Sequence, residues 1–298
     1  MHYTQPDVYE FISRQTNDPI VERKTCRLSG TKFPIYQSDL EFYDKISPVF
    51  AGEKYPVPTP TLCPEERFRR RSSFRNSLSL YRRKCDATQR DVVSMYKPDP
   101  KNIVYDNDVR RSDSRNALSY GKSFDFSKTF TEQFRPHRQQ VPKMARVQQG
   151  ENENAIYTNT ASDNKDCYLI GDATHNEHCF YGLFVDECTW CIDNYAIVHN
   201  EHAYESILCG NNYHIFFSMM IDDSHHIYHC RSIQNCSFMF ACVGMANAQY
   251  CILNKQVTKE EFEAVLRDPD HQEDILQTYT KELLPIAPLL YNDAIQCE

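Results

Sequence analysis

The sequence contains no run of about 18 apolar residues, the length a helix needs to cross a bilayer, so no membrane-spanning helix and no membrane partner are expected. The opening residues, MHYTQPDVYEFISRQ, lack the basic and apolar regions of a secretory signal, which gives a cytoplasmic expectation. Also missing are the G-x-S-x-G elbow, the Walker loop, the H-E-x-x-H helix and the dinucleotide fingerprint, so the familiar hydrolase, nucleotide-cleaving, metalloprotease and dehydrogenase chemistries have no anchor. Glycine, at 8 of 298 residues, is too scarce for a glycine-rich low-complexity chain, and an apolar share of 41% fits a soluble globular protein of about two domains.

Positive charge is nearly absent from the second half. Residues 151–256 hold 13 Asp and Glu against 3 Lys and Arg, and residues 257–298 hold 10 against 3. Those parts carry −10 and −7, so a total of −8 leaves +9 on residues 1–150. The excess peaks in ERFRRRSSFRNSLSLYRRKC, which contains Arg67, Arg69, Arg70, Arg71, Arg75, Arg82, Arg83 and Lys84, with Phe68, Phe74 and Tyr81 interleaved. Guanidinium forks match phosphate geometry and aromatic faces stack on bases, so this segment is the candidate nucleic-acid site, Phe74 and Tyr81 included. The alternative is that the same arginines serve an acidic surface, the protein's own or a partner's.

A twelve-residue period runs from about Glu151 to Thr258 without a slip. One column reads Ile156, Tyr168, Phe180, Ile192, Tyr204, Phe216, Tyr228, Phe240 and Ile252. The position before each is Ala155, Cys167, Cys179, Cys191, Ala203, Ile215, Ile227, Met239 and Cys251, and a third column holds Ala161, Ala173, Val185, Ile197, Cys209, Ile221, Ile233, Met245 and Val257. Units that cannot bury a core alone stack into a solenoid, so a β-solenoid of 12-residue repeats is expected over 151–258. Asn152, Asn164, Asn176, Asn200 and Asn212 form a further column, read as turn corners because Asn tolerates left-handed backbone angles. His-Asn-Glu-His recurs at His175 and His199, twenty-four residues apart, which favours a coil of two units over a coil of one.

Nine of the thirteen cysteines lie in the repeat, largely in apolar columns. Reduced thiols stacked in the core are the favoured reading, with disulfides or metal as the alternative. In the head, Cys26-Arg-Leu-Ser29, Cys63-Pro-Glu-Glu66, Cys85-Asp-Ala-Thr88 and Asp106-Asn-Asp-Val109 have the outline of four zinc knuckles that have lost ligands. A structural zinc needs four ligands, so none is expected, and Phe33, Ile35, Leu40, Phe42, Tyr43 and Ile46 are expected to hold the fold by packing. The predicted head is a small α+β domain over 1–150, two degenerate zinc-ribbon units and a connecting helix that follows Ser127, ends near Pro136 and covers the first coil. Thr258 and Glu261 begin a capping helix, QEDILQTYTKELL a second, and residues 259–298 close the chain with a tail that includes Cys297.

The strings CRLSGTKFPI, DLEFYDKI, PVPTPTLCPEERFRRR, LYRRKCDAT, SMYKPD, VYDNDV, YGKSFDFSKTFTEQF and ENENAIYTNTASDNKDCYLI resemble a group of uncharacterised bacterial proteins from candidate-phylum metagenomes, over roughly residues 24–265. Members with full C-x-x-C pairs at the four knuckles imply a zinc-ribbon origin for the head. The resemblance implies a domain layout with a Cys/Asn/aromatic repeat in the C-terminal half. It supplies no catalytic residues.

The remaining candidate chemistry is histidine. His178, His202 and His226 are spaced by twenty-four and would stand above one another in a twenty-four-residue coil, a possible divalent-metal stripe with Glu177 and Glu201 beside it. Three function classes are weighed. The first is a non-enzymatic binding protein whose basic head holds RNA or DNA on an acidic scaffold. The second is a structural or protein-interaction solenoid that docks an acidic partner or self-assembles, and the third, an enzyme, lacks a carboxylate cluster on one face.

Overall fold

The computed structural model describes residues 3–73, 76–99, 101–112 and 116–268. They fall into two compact units, 3–73 and 76–268. The segment from Asn76 to the start of the repeats thus belongs with the solenoid rather than with the first unit. No described helix is long and apolar enough to cross a membrane.

The first unit contains α1 (Pro6–Thr16), the antiparallel pair β1 (Ile20–Thr25) and β2 (Lys32–Tyr36), α2 (Gln37–Ile46), the short pair β3 (Val49–Phe50) and β4 (Glu53–Lys54), and α3 (Pro64–Ser72). Its core is Tyr9, Cys26, Phe33, Ile35, Leu62 and Cys63. Phe33 and Ile35 are buried as expected, but Leu40, Phe42 and Ile46 of α2 are exposed. The cysteines and α1, not the apolar residues of α2, complete this small core.

The second unit opens with antiparallel β5 (Tyr81–Lys84) and β6 (Asp91–Ser94), followed by β7 (Val104–Tyr105) and α4 (Asn107–Arg111). After α5 (Phe130–Gln140), β8 (Lys143–Met144) pairs with β7 in parallel. This segment repeats the first knuckle bond for bond. Cys26 N–H donates to Thr31 O at 2.8 Å and Gly30 N–H to Cys26 O at 2.9 Å; Cys85 N–H donates to Arg90 O at 2.9 Å and Gln89 N–H to Cys85 O at 2.8 Å. Gly30 and Gln89, the fourth residue after each Cys, both have positive φ. Arg27 N–H reaches Thr61 O and Asp86 N–H reaches Val104 O, each two residues before the second half-knuckle, and Cys63 and Asp106 are the N-caps of α3 and α4.

The solenoid makes about nine turns. Its parallel partners are twelve residues apart, in the unbroken series Ala161, Ala173, Val185, Ile197, Cys209, Ile221, Ile233 and Met245. The expected twenty-four-residue coil is therefore replaced by a coil of twelve. The reason is local: every third residue from Thr160 to Leu253 has φ between 47° and 66°. Each coil is four triplets, two extended residues and one left-handed corner, and closes after four sides. Only Gly adopts this region freely, yet Gly244 is the one glycine among these corners. The corner amides are satisfied by the coil before: Trp190 N–H donates to Glu177 O, Phe217 N–H to Tyr204 O and His229 N–H to Phe216 O.

One residue per side points inward, which corrects two columns. The Cys167 and Ala173 columns are buried as expected, but the large column, buried Phe240 apart, lies at the surface, with Ile156 and Tyr168 exposed, and its rings stack there, as Tyr168 does on Phe180 at 4.4 Å. The Asn column is buried, not at the corners. Asn176 Nδ2 donates to Asn164 Oδ1 and to Val185 O, each at 2.8 Å, while its Oδ1 accepts from Cys188 N–H at 2.9 Å. Cysteine and serine do the same work: Cys188 Sγ accepts from Asn200 N–H at 3.4 Å and Ser218 Oγ from Cys230 N–H at 3.1 Å. Two facing sides are thus apolar and two are small and polar, because on the latter each inward amide needs a side-chain acceptor one coil away. The twelve described cysteines are all free and buried.

Both ends are closed. β9 (Gln148–Gln149) pairs with β10 (Asn159–Ser162) at the first coil, and the last strand, Gln249–Ile252, pairs with Lys255–Gln256 running back antiparallel. The final helix, α6 (Lys259–Arg267), starts at Thr258 with the expected Glu261 capping box and buries Phe262 against Tyr250 and Phe238. The expected second capping helix and Cys297 lie outside the described residues. α5 begins at Thr129 with a Glu132 capping box and runs through Pro136 instead of ending there. Its Phe130 and Phe134 are exposed rather than laid on the first coil. That coil instead meets Asn76, whose carbonyl accepts from Asn159 Nδ2 at 2.6 Å, and the next coil meets Ser77, whose hydroxyl donates to Asp172 at 2.7 Å.

Candidate nucleic-acid interface

The arginines of the basic segment divide between the two units. Pro64 starts α3, Glu65 and Glu66 occupy its first turn, and Arg69, Arg70 and Arg71 its last, an order that complements the helix dipole at both ends. Arg69 lies 2.9 Å from Glu66, and half-buried Arg67 makes a long contact, 3.5 Å, to Tyr43 Oη. Arg70 and Arg71 are exposed, as is Phe68 at 46%, and Arg71 lies one turn from Phe68 on the same helix face while Arg70 does not. Phe74 and Arg75 lie outside the described residues.

In β5 the strand alternation separates the cations. Arg82 and Lys84 share Asp91, at 3.2 and 3.0 Å, and their bonds hold its carboxyl below the usual range. Arg83 points the other way and is buried, donating to Asp86 at 3.0 Å and to the carbonyls of Lys97 and Asn102 at 3.3 and 3.0 Å. It fastens the second knuckle, so it is not placed to meet a phosphate. Tyr81 is exposed at the start of the strand.

The knuckle side chains have partners of their own. Ser29 Oγ is 3.7 Å from Cys63 Sγ, and Tyr3 Oη donates to Glu66 at 3.0 Å. Burial raises the Cys26 thiol, but hydrogen bonds from Ser29 and nearby amides outweigh it and bring the pKa to about 6. At the second knuckle Asp106 N–H donates to Cys85 Sγ at 3.2 Å, and Val109 offers no ligand.

The histidine stripe is not assembled. His178, His202 and His226 are two coils apart, roughly 9.6 Å, with Trp190 and His214 between them. They belong to a ring ladder at one corner: His178 stacks on Trp190 at 4.1 Å, and His226 lies 5.1 Å from His214 and 4.7 Å from Phe238. Burial lowers His214 and His226, and nearby imidazoles add to it. Asp166, Glu177 and His178 do bring ligand atoms within 4.8 Å of one another, but Lys165 Nζ already sits 3.0 Å from Glu177.

One basic cleft was not expected. Tyr96, Arg110, Phe134, His137, Arg138 and Lys143 line a cavity of about 470 Å³ with no carboxylate among its described lining residues; Arg110 Nε donates to Pro142 O at 3.2 Å and Lys143 Nζ to Asn102 Oδ1. Lys143 lies 5.0 Å above the Tyr96 ring. The signal was present in the sequence: residues 117–146 hold 6 Lys and Arg against 2 Asp and Glu, with four interleaved phenylalanines. No protein-family model and no curated protein matches this sequence.

Proposed function

We propose that the protein is a non-enzymatic nucleic-acid-binding protein whose basic N-terminal half contacts RNA or DNA and whose acidic solenoid is the scaffold. The observation that carries the reading is exposed Arg71 one helical turn from exposed Phe68 in α3, with Arg70 exposed next to it in sequence, within a half that carries +9. Cations and an aromatic face on one surface supply phosphate contact and stacking together. The matched knuckles support a duplicated zinc-ribbon origin, in keeping with the resembling bacterial proteins. Two thiols at one knuckle pair and one at the other, with Glu66 engaged by Tyr3 and Arg69, do not make a four-ligand zinc cage, so packing holds the head. A cytoplasmic setting accords with the free thiols, which a reducing compartment maintains.

The test is fluorescence anisotropy of labelled single- and double-stranded oligonucleotides with the full chain. Affinity is expected to fall roughly tenfold or more between about 50 and about 200 mM salt, and Arg70→Glu with Arg71→Glu to abolish most of it. Absent or salt-insensitive binding sinks the reading and leaves the solenoid as a structural or protein-interaction surface.

A further inference from the structure

The basic segment does not account for the most exposed aromatic surface of the second unit. Between residues 117 and 134 Leu118 is 88% exposed, Phe126 92%, Phe130 63%, Phe124 52% and Phe134 47%. These rings are held in ordered pairs: Phe124 meets Phe126 edge-on at 5.0 Å, and Phe130 stacks on Phe134 at 5.0 Å. The loop is fixed to α5 by Gln133, whose side chain accepts from Asp125 N–H at 2.7 Å and donates to Asp125 O at 2.9 Å. The rings are therefore presented by a bonded scaffold. A cluster of exposed large apolar groups is the kind of surface that marks a binding site.

Phe134 also forms part of the wall of the 470 Å³ cleft, where Arg110, Arg138 and Lys143 gather around Tyr96. Aromatic platform and cationic cleft are thus one surface. From this continuity we propose that Phe124, Phe126, Phe130 and Phe134, with the Arg110, Arg138 and Lys143 cleft, form a binding site for single-stranded nucleic acid. Bases stack on the exposed rings while phosphates enter the cleft. The inference rests on the nucleic-acid reading above and adds to it a location and a preference for single strands, since bases in a duplex have no free faces to offer. A bilayer is disfavoured by the two carboxylates among the rings, Asp125 and Glu132, which insertion would strip of water.

The experiment compares four proteins as full chains: the wild type, Phe126→Ala with Phe130→Ala, Phe126→Tyr with Phe130→Tyr, and Arg70→Glu with Arg71→Glu. Each is titrated with a single-stranded oligonucleotide carrying 2-aminopurine, its duplex, and vesicles of phosphatidylcholine and phosphatidylglycerol. The expected result is fluorescence quenching on the single strand, weaker binding of the duplex, a loss of roughly fivefold to a hundredfold in the Ala protein, and recovery in the Tyr protein. Circular dichroism of the Ala protein checks that α5 and the solenoid persist. Unchanged single-strand binding in the Ala protein, with loss in the arginine protein, overturns this inference and leaves the basic-segment reading intact. Ring-dependent binding of vesicles but not of oligonucleotides overturns it in favour of a lipid surface. No nucleic-acid binding by the wild type removes the broader reading and this one with it.

Discussion

At the scale of single residues, the interior of the solenoid is a hydrogen-bonding problem as much as a hydrophobic one. Cysteine is small and apolar enough for a buried column, but Cys188 is there because its sulfur accepts the Asn200 amide at 3.4 Å and donates to Asp186 O at 3.1 Å. Replacing it with serine should therefore be tolerated better than replacing it with alanine, although alanine is the less polar. Asn176→Ala should cost roughly 2–4 kcal/mol, since it strands the Cys188 amide and the Val185 carbonyl in the core. Urea unfolding of the three variants checks both statements, and a more stable alanine at 188 would refute the acceptor role. The twelve-residue spacing announced these columns. It did not say which faced in, because Asn suits a corner and a buried ladder equally well and only the partner one coil away decides.

At the scale of elements, the triplet explains both the square coil and its corner ladders. A side chain on a left-handed corner projects over its neighbour about 4.8 Å away, so rings at successive corners stack, as His229 does on Phe217 with centroids 4.9 Å apart. Burial brings His229 down to about 4 from the ordinary 6.5, and His214 and His226 move in the same direction. The unfolded chain takes up these protons near pH 6.5 and the folded chain does so only lower. Stability is accordingly full above about 7 and falls as pH drops from 6.5 towards 4. The denaturation midpoint should decline between pH 7.5 and pH 5, and His229→Phe, which keeps the stack, should reduce that decline. An equal decline in the variant would assign the acid sensitivity elsewhere. None of these ladders was legible at a twenty-four-residue coil, which placed His178, His202 and His226 side by side and hid the rings between them.

At the scale of the whole molecule, each coil touches only its neighbours, and stability accumulates along the stack. The thiols report on it. Burial pushes Cys209 up to about 11, and all nine repeat thiols are shielded from solvent by burial. Alkylation by N-ethylmaleimide followed by intact mass should leave the nine repeat cysteines unmodified in the native protein and modify them as the solenoid unfolds; labelling of several under native conditions would show that the coils open singly. The sequence by itself determined that 151–258 is a stacked β-solenoid, that the cysteines belong to its interior, and that positive charge collects in the first 150 residues, because periodicity, residue size and charge are properties of the chain order. Tertiary structure alone decided that a coil takes twelve residues, that Arg83 is a strut while Arg70 and Arg71 face solvent, and that Phe134, stacked on Phe130, lines a basic cleft. Those outcomes depend on left-handed corners and on which distant atoms satisfy each polar group, and neither is encoded in the identity of one residue or the spacing of a few.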